Sequence, residues 1–382
     1  MEGKVFEDEF ARDFSVATDF FSFLNERRSH SSWVTVPSKA LQFRAIEKGT
    51  PMGDLLLQLY NAKGNGDLMK DTMENTRLLM NVDGQEIPVR SCAIKTILER
   101  ARISGHALSK VSADVLSQIL NHCMKVASGR SLVKIADSKV SAVHGGDEKD
   151  YAILEMLPLF EAVSDFLDRE FPGNQFMTAH FDHSMSMAIW ELNGQADQLL
   201  DAYREEVEML GIKSPMVTPA LRFMSSDVGT SGANLYPILL VGSTRRIVPL
   251  GYPIKTEHKN GADYDYFTCQ LRLLFSKFRQ ALEHQIKLMK VEISNPANTL
   301  LGVLKQIKAP KKGSYEVLEE FLAAHGEGPC TAYELFLYAS EIIFYAQCEG
   351  ASGSRIAQLE EITARALHVN WEDHDRPGEF CW

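Results

Sequence analysis

Apolar positions along the chain follow two rhythms, and each rhythm predicts its own kind of element. Between residues 93 and 127 they recur at helical spacing: Ile94, Ile97 and Leu98, then Leu108, Val111, Val115, Leu116, Ile119, Leu120, Cys123 and Met124. Ser104-Gly105 interrupts them, so two helices with a turn are expected. The order resembles a helix-turn-helix, but the second segment carries few side chains suited to reading base edges. Helices are also predicted over 151–171 and 195–210, the second closed by Gly211. Alternation predicts strands at 33–36, closed by Pro37, and two short strands within 132–143. It also predicts a long strand or hairpin over 175–192, and a hairpin from 78–80 to 87–90 around the Asp83-Gly84 turn. The glycine-bearing stretch 61–67 reads as an exposed loop.

Three strand-like segments follow, at 217–224, 235–241 and 246–256, and their order suggests an antiparallel meander. A long helix over 263–291 succeeds them. Turning its positions by about 100° per residue separates two faces. Leu271, Leu274, Phe275, Phe278, Leu282 and Met289 share one, while Arg272, Arg279, Lys287 and Lys290, with Glu283 among them, share the other. A helix at 299–307 runs into the basic 308–312, which reads as a hinge or boundary, and helices follow at 315–324, 332–348 and 355–369. The expected fold class is α+β: an antiparallel β-meander followed by a long basic amphipathic helix, with flanking helical regions. Three regions are expected, 1–88 mixed, 89–312 central α+β, and 313–382 acidic and helical.

Bulk properties narrow the setting. A chain of 382 residues with 45% apolar and 24% charged positions can bury a substantial core. The six cysteines form no Cys-x-x-Cys pair and no zinc-finger spacing, which suits a reducing compartment. The acidic N-terminus lacks a signal-peptide pattern, and no window approaches a membrane span, so a cytoplasmic protein with no membrane contact is expected. Formal net charge is −11, but it is unevenly placed. Residues 241–312 carry 13 Lys and Arg against 5 Asp and Glu, whereas 313–382 carry 3 against 13.

No P-loop, nucleophile elbow, His-Glu-x-x-His or dinucleotide fingerprint is present. Three groups of residues remain as candidates. The basic stripe, with Arg245, Arg246, Lys255 and Lys259, could track a phosphate backbone, and the nearby tyrosines could stack on bases. A solvated helix face, or pairing with the acidic C-terminal region, is the plain alternative. The loop containing Ser226, Asp227, Gly229, Thr230 and Ser231 could cradle an anion with its amides, or be an ordinary hairpin loop. His180 and Asp182 share a strand face and could hold a divalent ion if Asp227 or His258 approached, with satisfied sheet polar residues as the alternative.

The stretch 220–312 has a further property. Its Ser226-Asp227-x-Gly229-Thr230-Ser231, Pro237, Gly251, Glu257-His258-Lys259 and Phe267 resemble recurring features of the phage- and plasmid-borne family known as domain of unknown function 932. The likeness is weaker over 89–211 and does not extend before residue 89. It implies the setting of a mobile element rather than a reaction. The strand-strand-strand-helix order also resembles single-strand annealing proteins such as the Red-beta-like recombinases, an analogy of fold alone.

Three readings follow. The first is a nucleic-acid-handling protein, binding or annealing single-stranded DNA as a homo-oligomer and requiring no cofactor. Arg272, Arg279, Lys287 and Lys290 would neutralise phosphates, and Arg245 and Arg246 would orient the strand. The second is a metal-dependent hydrolase or nuclease using His180, Asp182, Asp227 and His258. The third is an interaction or anti-defence module whose acidic C-terminal helices bind a host protein.

Overall fold

The computed structural model describes residues 4–147, 150–212, 216–259, 262–378, 380 and 382. The fold is α+β, with antiparallel sheets and helices packed against them. Its centre is a seven-stranded antiparallel sheet. The strands run Ala11–Phe14, Gln175–Asp182, Ser186–Glu191, Val217–Ser225, Ala233–Val241 and Arg246–Pro249, with Ile254–Thr256 also paired to Ala233–Val241. The meander is therefore present, and the expected third segment is two strands. Pro249, Gly251 at φ 144° and Pro253 break it, and both halves return to the same neighbour. Pro237, which has no amide hydrogen, lies opposite that gap in pairing, so the ladder loses little.

Alternation along Val217–Ser225 divides the sheet's two faces. Leu221 and Phe223 enter the main core, where Phe223 meets Phe160 of helix Met156–Glu170 edge-on at 4.7 Å. Ala220 and Met224 point to the other face, with Met185, Ile189, Tyr236, Ile238 and Leu240, and helix Gly353–Ala364 covers them through Ala357. Arg222 also lies on that face, fully buried, and pairs with the equally buried Glu360 of the covering helix.

The helix expected over 263–291 is two helices, Tyr264–Leu271 and Leu274–Met289, the first capped by Asp263 accepting the Tyr266 amide at 2.8 Å. Leu271 and Leu274, on either side of the break at Arg272-Leu273, are both buried in the main core. The stretch 61–67 is only a tight connection between helices Pro51–Ala62 and Gly66–Glu74. The basic 308–312 is a packed elbow, with Ile307 and Ala309 in the main core and Pro310 starting helix Lys311–His325. A capping box, Thr331 with Glu334, starts helix Ala332–Cys348.

The short pair Glu292–Ile293 with Cys330–Thr331 and two three-stranded sheets complete the fold. Ser31–Pro37, Arg130–Ala136 and Lys139–Gly145 form one; Gln42–Ala45, Leu78–Val82 and Gln85–Pro88 form the other, with Asp83 and Gly84 both at positive φ as the hairpin turn demands. Contacts cross both expected region boundaries. Strand Ala11–Phe14 belongs to the central sheet, helix Ala17–Ser29 packs Phe20 on Phe160 at 5.0 Å, and the main core runs from Phe10 to Trp371. Buried charges bind the junction: Lys139 pairs with Asp8 at 2.7 Å and with Asp71, and Arg27 pairs with Asp137.

Candidate functional site

The eight basic candidates divide into two groups. Arg245 pairs with Glu191, Arg246 with Glu341, Lys255 with Glu361 at 2.7 Å and Lys290 with Glu206 at 3.0 Å. These four are neutralised inside the molecule, two of them by the acidic C-terminal helices, and the nearby Lys312 meets Glu349 at 2.5 Å in the same way. Arg245, Arg246, Lys255 and Lys290 are thus removed from a freely available phosphate track. Arg272, Arg279, Lys287 and Lys259 are exposed, and among the described residues no carboxylate pairs with them.

Arg279 and Lys287 project from helix Leu274–Met289, where residues three and four apart are surface neighbours. Lys287 follows His284 by three positions. His284 sits edge-on to His368 at 4.6 Å, and His368 stacks on Tyr252 at 4.9 Å with the rings 4° from parallel. Tyr252 is 55% exposed. Lys287 therefore lies one helical turn from an accessible aromatic stack, which neither helical periodicity nor strand alternation could show. Tyr252 comes from the excursion that splits the third meander segment, and His368 comes from beyond helix Gly353–Ala364.

The loop after Val217–Ser225 is built around Ser226. Its buried hydroxyl accepts the amides of Val228 at 3.3 Å and Thr230 at 3.1 Å, and lies 2.8 Å from the Thr230 hydroxyl, which donates to the Ser184 carbonyl. Those two amides face their own loop, so they do not cradle an anion. Ser231 is tied down locally as well, accepting from Asn234 at 3.0 Å. Asp227 pairs with Lys134, whose ammonium lies 5.2 Å from the centre of the Trp33 ring. Burial opposes ionisation of Asp227, but Lys134, Arg27 and His258 outweigh it and hold the carboxyl below its usual range.

Gly229 lies flat against a column of three parallel rings. His144 and Tyr151 stack at 3.8 Å, Tyr151 and His258 at 5.2 Å, and the Tyr151 hydroxyl donates to the Asp227 carbonyl at 3.3 Å. His258 donates from Nδ1 to the Ala152 carbonyl at 3.1 Å. Burial pushes the His258 imidazole down; burial, then the charges of His258 and Lys134, push His144 down to about 4. Both rings are neutral at physiological pH. The column floors a cleft of about 530 Å³ whose rim carries Arg100, Arg102 and Lys259 against Glu99, Asp150 and Glu257. Those charges balance, and Arg100 is already bonded to Ser131 at 2.9 Å and to the Ser128 carbonyl at 2.6 Å, so the cleft has no bias toward anions.

The four metal candidates do not form one centre. His180 lies between Asp13 at 2.7 Å and Asp182 at 3.8 Å, and Asp182, with Asp13 acting in the same direction, raises its pKa against the effect of burial. Asp182 also accepts the amides of Ser184 at 2.6 Å and Met185 at 2.9 Å, the work of a turn residue. Asp227 and His258 are engaged with Lys134 and Ala152, and among the described residues no three His, Cys, Asp or Glu side chains come together as a metal site. No helix among the described residues is long and apolar enough to cross a membrane. Searches against protein-family models, curated proteins and solved structures find no significant match for this chain.

Proposed function

We propose that the protein binds single-stranded nucleic acid across the exposed side of helix Leu274–Met289. The observation that carries this reading is an accessible aromatic stack, Tyr252 on His368 with His284 edge-on, one helical turn from the unpaired Lys287, on a segment whose other exposed cations, Arg272 and Arg279, also lack a carboxylate partner among the described residues. The cations neutralise phosphates, and the tyrosine face takes an unstacked base, a combination that suits single strands and tolerates any sequence. Net charge elsewhere is strongly negative, so the strand is confined to this side. The mobile-element setting and annealing by an oligomer belong to this reading as its biological context.

The test is fluorescence anisotropy with a labelled oligothymidylate and with duplex of equal length. Wild type binds the single strand more tightly. Arg279→Glu with Lys287→Glu loses that binding while keeping its circular dichroism spectrum, and Tyr252→Ala weakens it by roughly 1–3 kcal/mol, the range for one stacked base. Equal binding by the charge-reversed protein would overturn the assignment.

A further inference from the structure

Helix Ala196–Met209 packs beside helix Leu274–Met289, and the two present opposite charge to solvent. The first turns Leu199, Leu200 and Tyr203 into the main core. At about 100° per residue, Asp201, Glu205 and Glu208 fall together on the opposite side, and all three are exposed. Among the described residues no cation pairs with them, and the neighbouring Arg204 turns to Asp197 at 2.6 Å instead. The second helix buries Leu274, Phe278, Leu282 and Met289. Its outer side carries Arg279 and Lys287, with Glu283 between them and Arg272 just before the helix. Lys290 meets Glu206 at 3.0 Å across the seam between the two helices.

Like charges three and four residues apart on a helix repel, so the row Asp201, Glu205 and Glu208 gains from cations brought against it. The chain's own basic row cannot serve, because it lies on the neighbouring helix and points outward in the same way. A second copy can. Turned by a two-fold rotation about the seam, it sets its acidic row on the first chain's basic row and its basic row on the first chain's acidic row. Such an isologous contact closes at two subunits. Each acidic row of three then faces three cations and Glu283, so the chain's overall charge of −11 is not what the two copies present to each other. Met209 follows Glu208 and Leu273 follows Arg272; both are exposed and add apolar area at the ends of the two rows.

We propose that this face is a self-association surface whose partner is a second copy of this chain, with Asp201, Glu205 and Glu208 of one copy against Arg272, Arg279 and Lys287 of the other. The contact draws on the cations of the nucleic-acid reading but does not rest on it, and it is tested with nucleic acid absent. Sedimentation velocity of the full chain at about 0.05 M salt should show a monomer–dimer equilibrium. Association should weaken by about tenfold or more at about 1 M salt, where charges are screened within about 3 Å. Asp201→Lys with Glu205→Lys gives a chain whose two rows are both basic, and Arg279→Glu with Lys287→Glu gives one whose two rows are both acidic. Each alone should stay monomeric with an unchanged circular dichroism spectrum. Mixed in equal amounts they should form a heterodimer, because each row of one then faces its opposite on the other. A wild type that is monomeric at low salt, variants that dimerise alone as wild type does, a mixture of folded variants that stays monomeric, or assembly that grows past two subunits would each overturn the proposal.

Discussion

Replacing Gly229 by alanine is the sharpest local test of the ring column. Gly229 has φ +77°, and a Cβ there would stand 2.6 Å from His144 Cε1, 3.2 Å from its Nε2 and 3.3 Å from Tyr151 Cε2. Two costs add. The left-handed backbone costs about 1–2 kcal/mol for any residue with a Cβ. Overpacking against rings that are themselves stacked costs roughly 1–3 kcal/mol more, since His144 cannot retreat without disturbing Tyr151 and His258. Gly242 separates the two terms, because it has a similar φ of +72° and nothing within 4 Å of its would-be Cβ. Urea denaturation followed by fluorescence should show Gly229→Ala losing more stability than Gly242→Ala, with the excess largely relieved in a His144→Ala background. Equal losses at the two glycines, or no relief on removing His144, would refute the packing argument.

The remaining expectations concern buried charge. Burial holds His144 to about 4 and, with the Arg90 and Arg27 charges, His183 to about 2, against an ordinary value of 6.5. Each is neutral when folded but protonates when unfolded, so stability is full above about pH 6.5 and falls as pH drops; at pH 5 each should contribute a loss on the order of 2 kcal/mol. Urea titrations between pH 7.5 and pH 5 should show that decline, and a flat profile would contradict it. Glu360→Gln leaves Arg222 charged and buried and should cost about 3–5 kcal/mol, whereas Arg222→Met with Glu360→Leu should lie within about 2 kcal/mol of wild type; equal losses in chemical denaturation would show that the pair is not the source.

How much of this was legible in the sequence depends on how local the cause is. The α+β class, the Asp83-Gly84 hairpin, the meander and helix Ala332–Cys348 follow from periodicity and turn chemistry acting within a few residues. The break at Arg272-Leu273 carries no glycine or proline, so no residue type there announces it. Strand Ala11–Phe14 was not read because its partner lies more than 160 residues away, in Gln175–Asp182. The stripe's charges could be counted, but their partners could not. Arg245, Arg246, Lys255 and Lys290 are quenched by glutamates from four different segments, and only the fold brings those together. The ring column likewise draws His144, Tyr151 and His258 from positions with no common spacing.

The central claim is that a few unpaired cations, rather than the whole basic segment, meet the phosphate backbone. Its most direct test is the slope of log K against log salt for a single-stranded oligonucleotide. With three phosphates neutralised by Arg272, Arg279 and Lys287, the slope should be about −2, since each contact to a single strand contributes roughly −0.7. Arg279→Gln with Lys287→Gln should reduce it to about −0.7, and Arg245→Gln, whose side chain is held by Glu191, should leave it unchanged. A wild-type slope near zero, or one that the Arg279 and Lys287 changes do not move, would contradict the account.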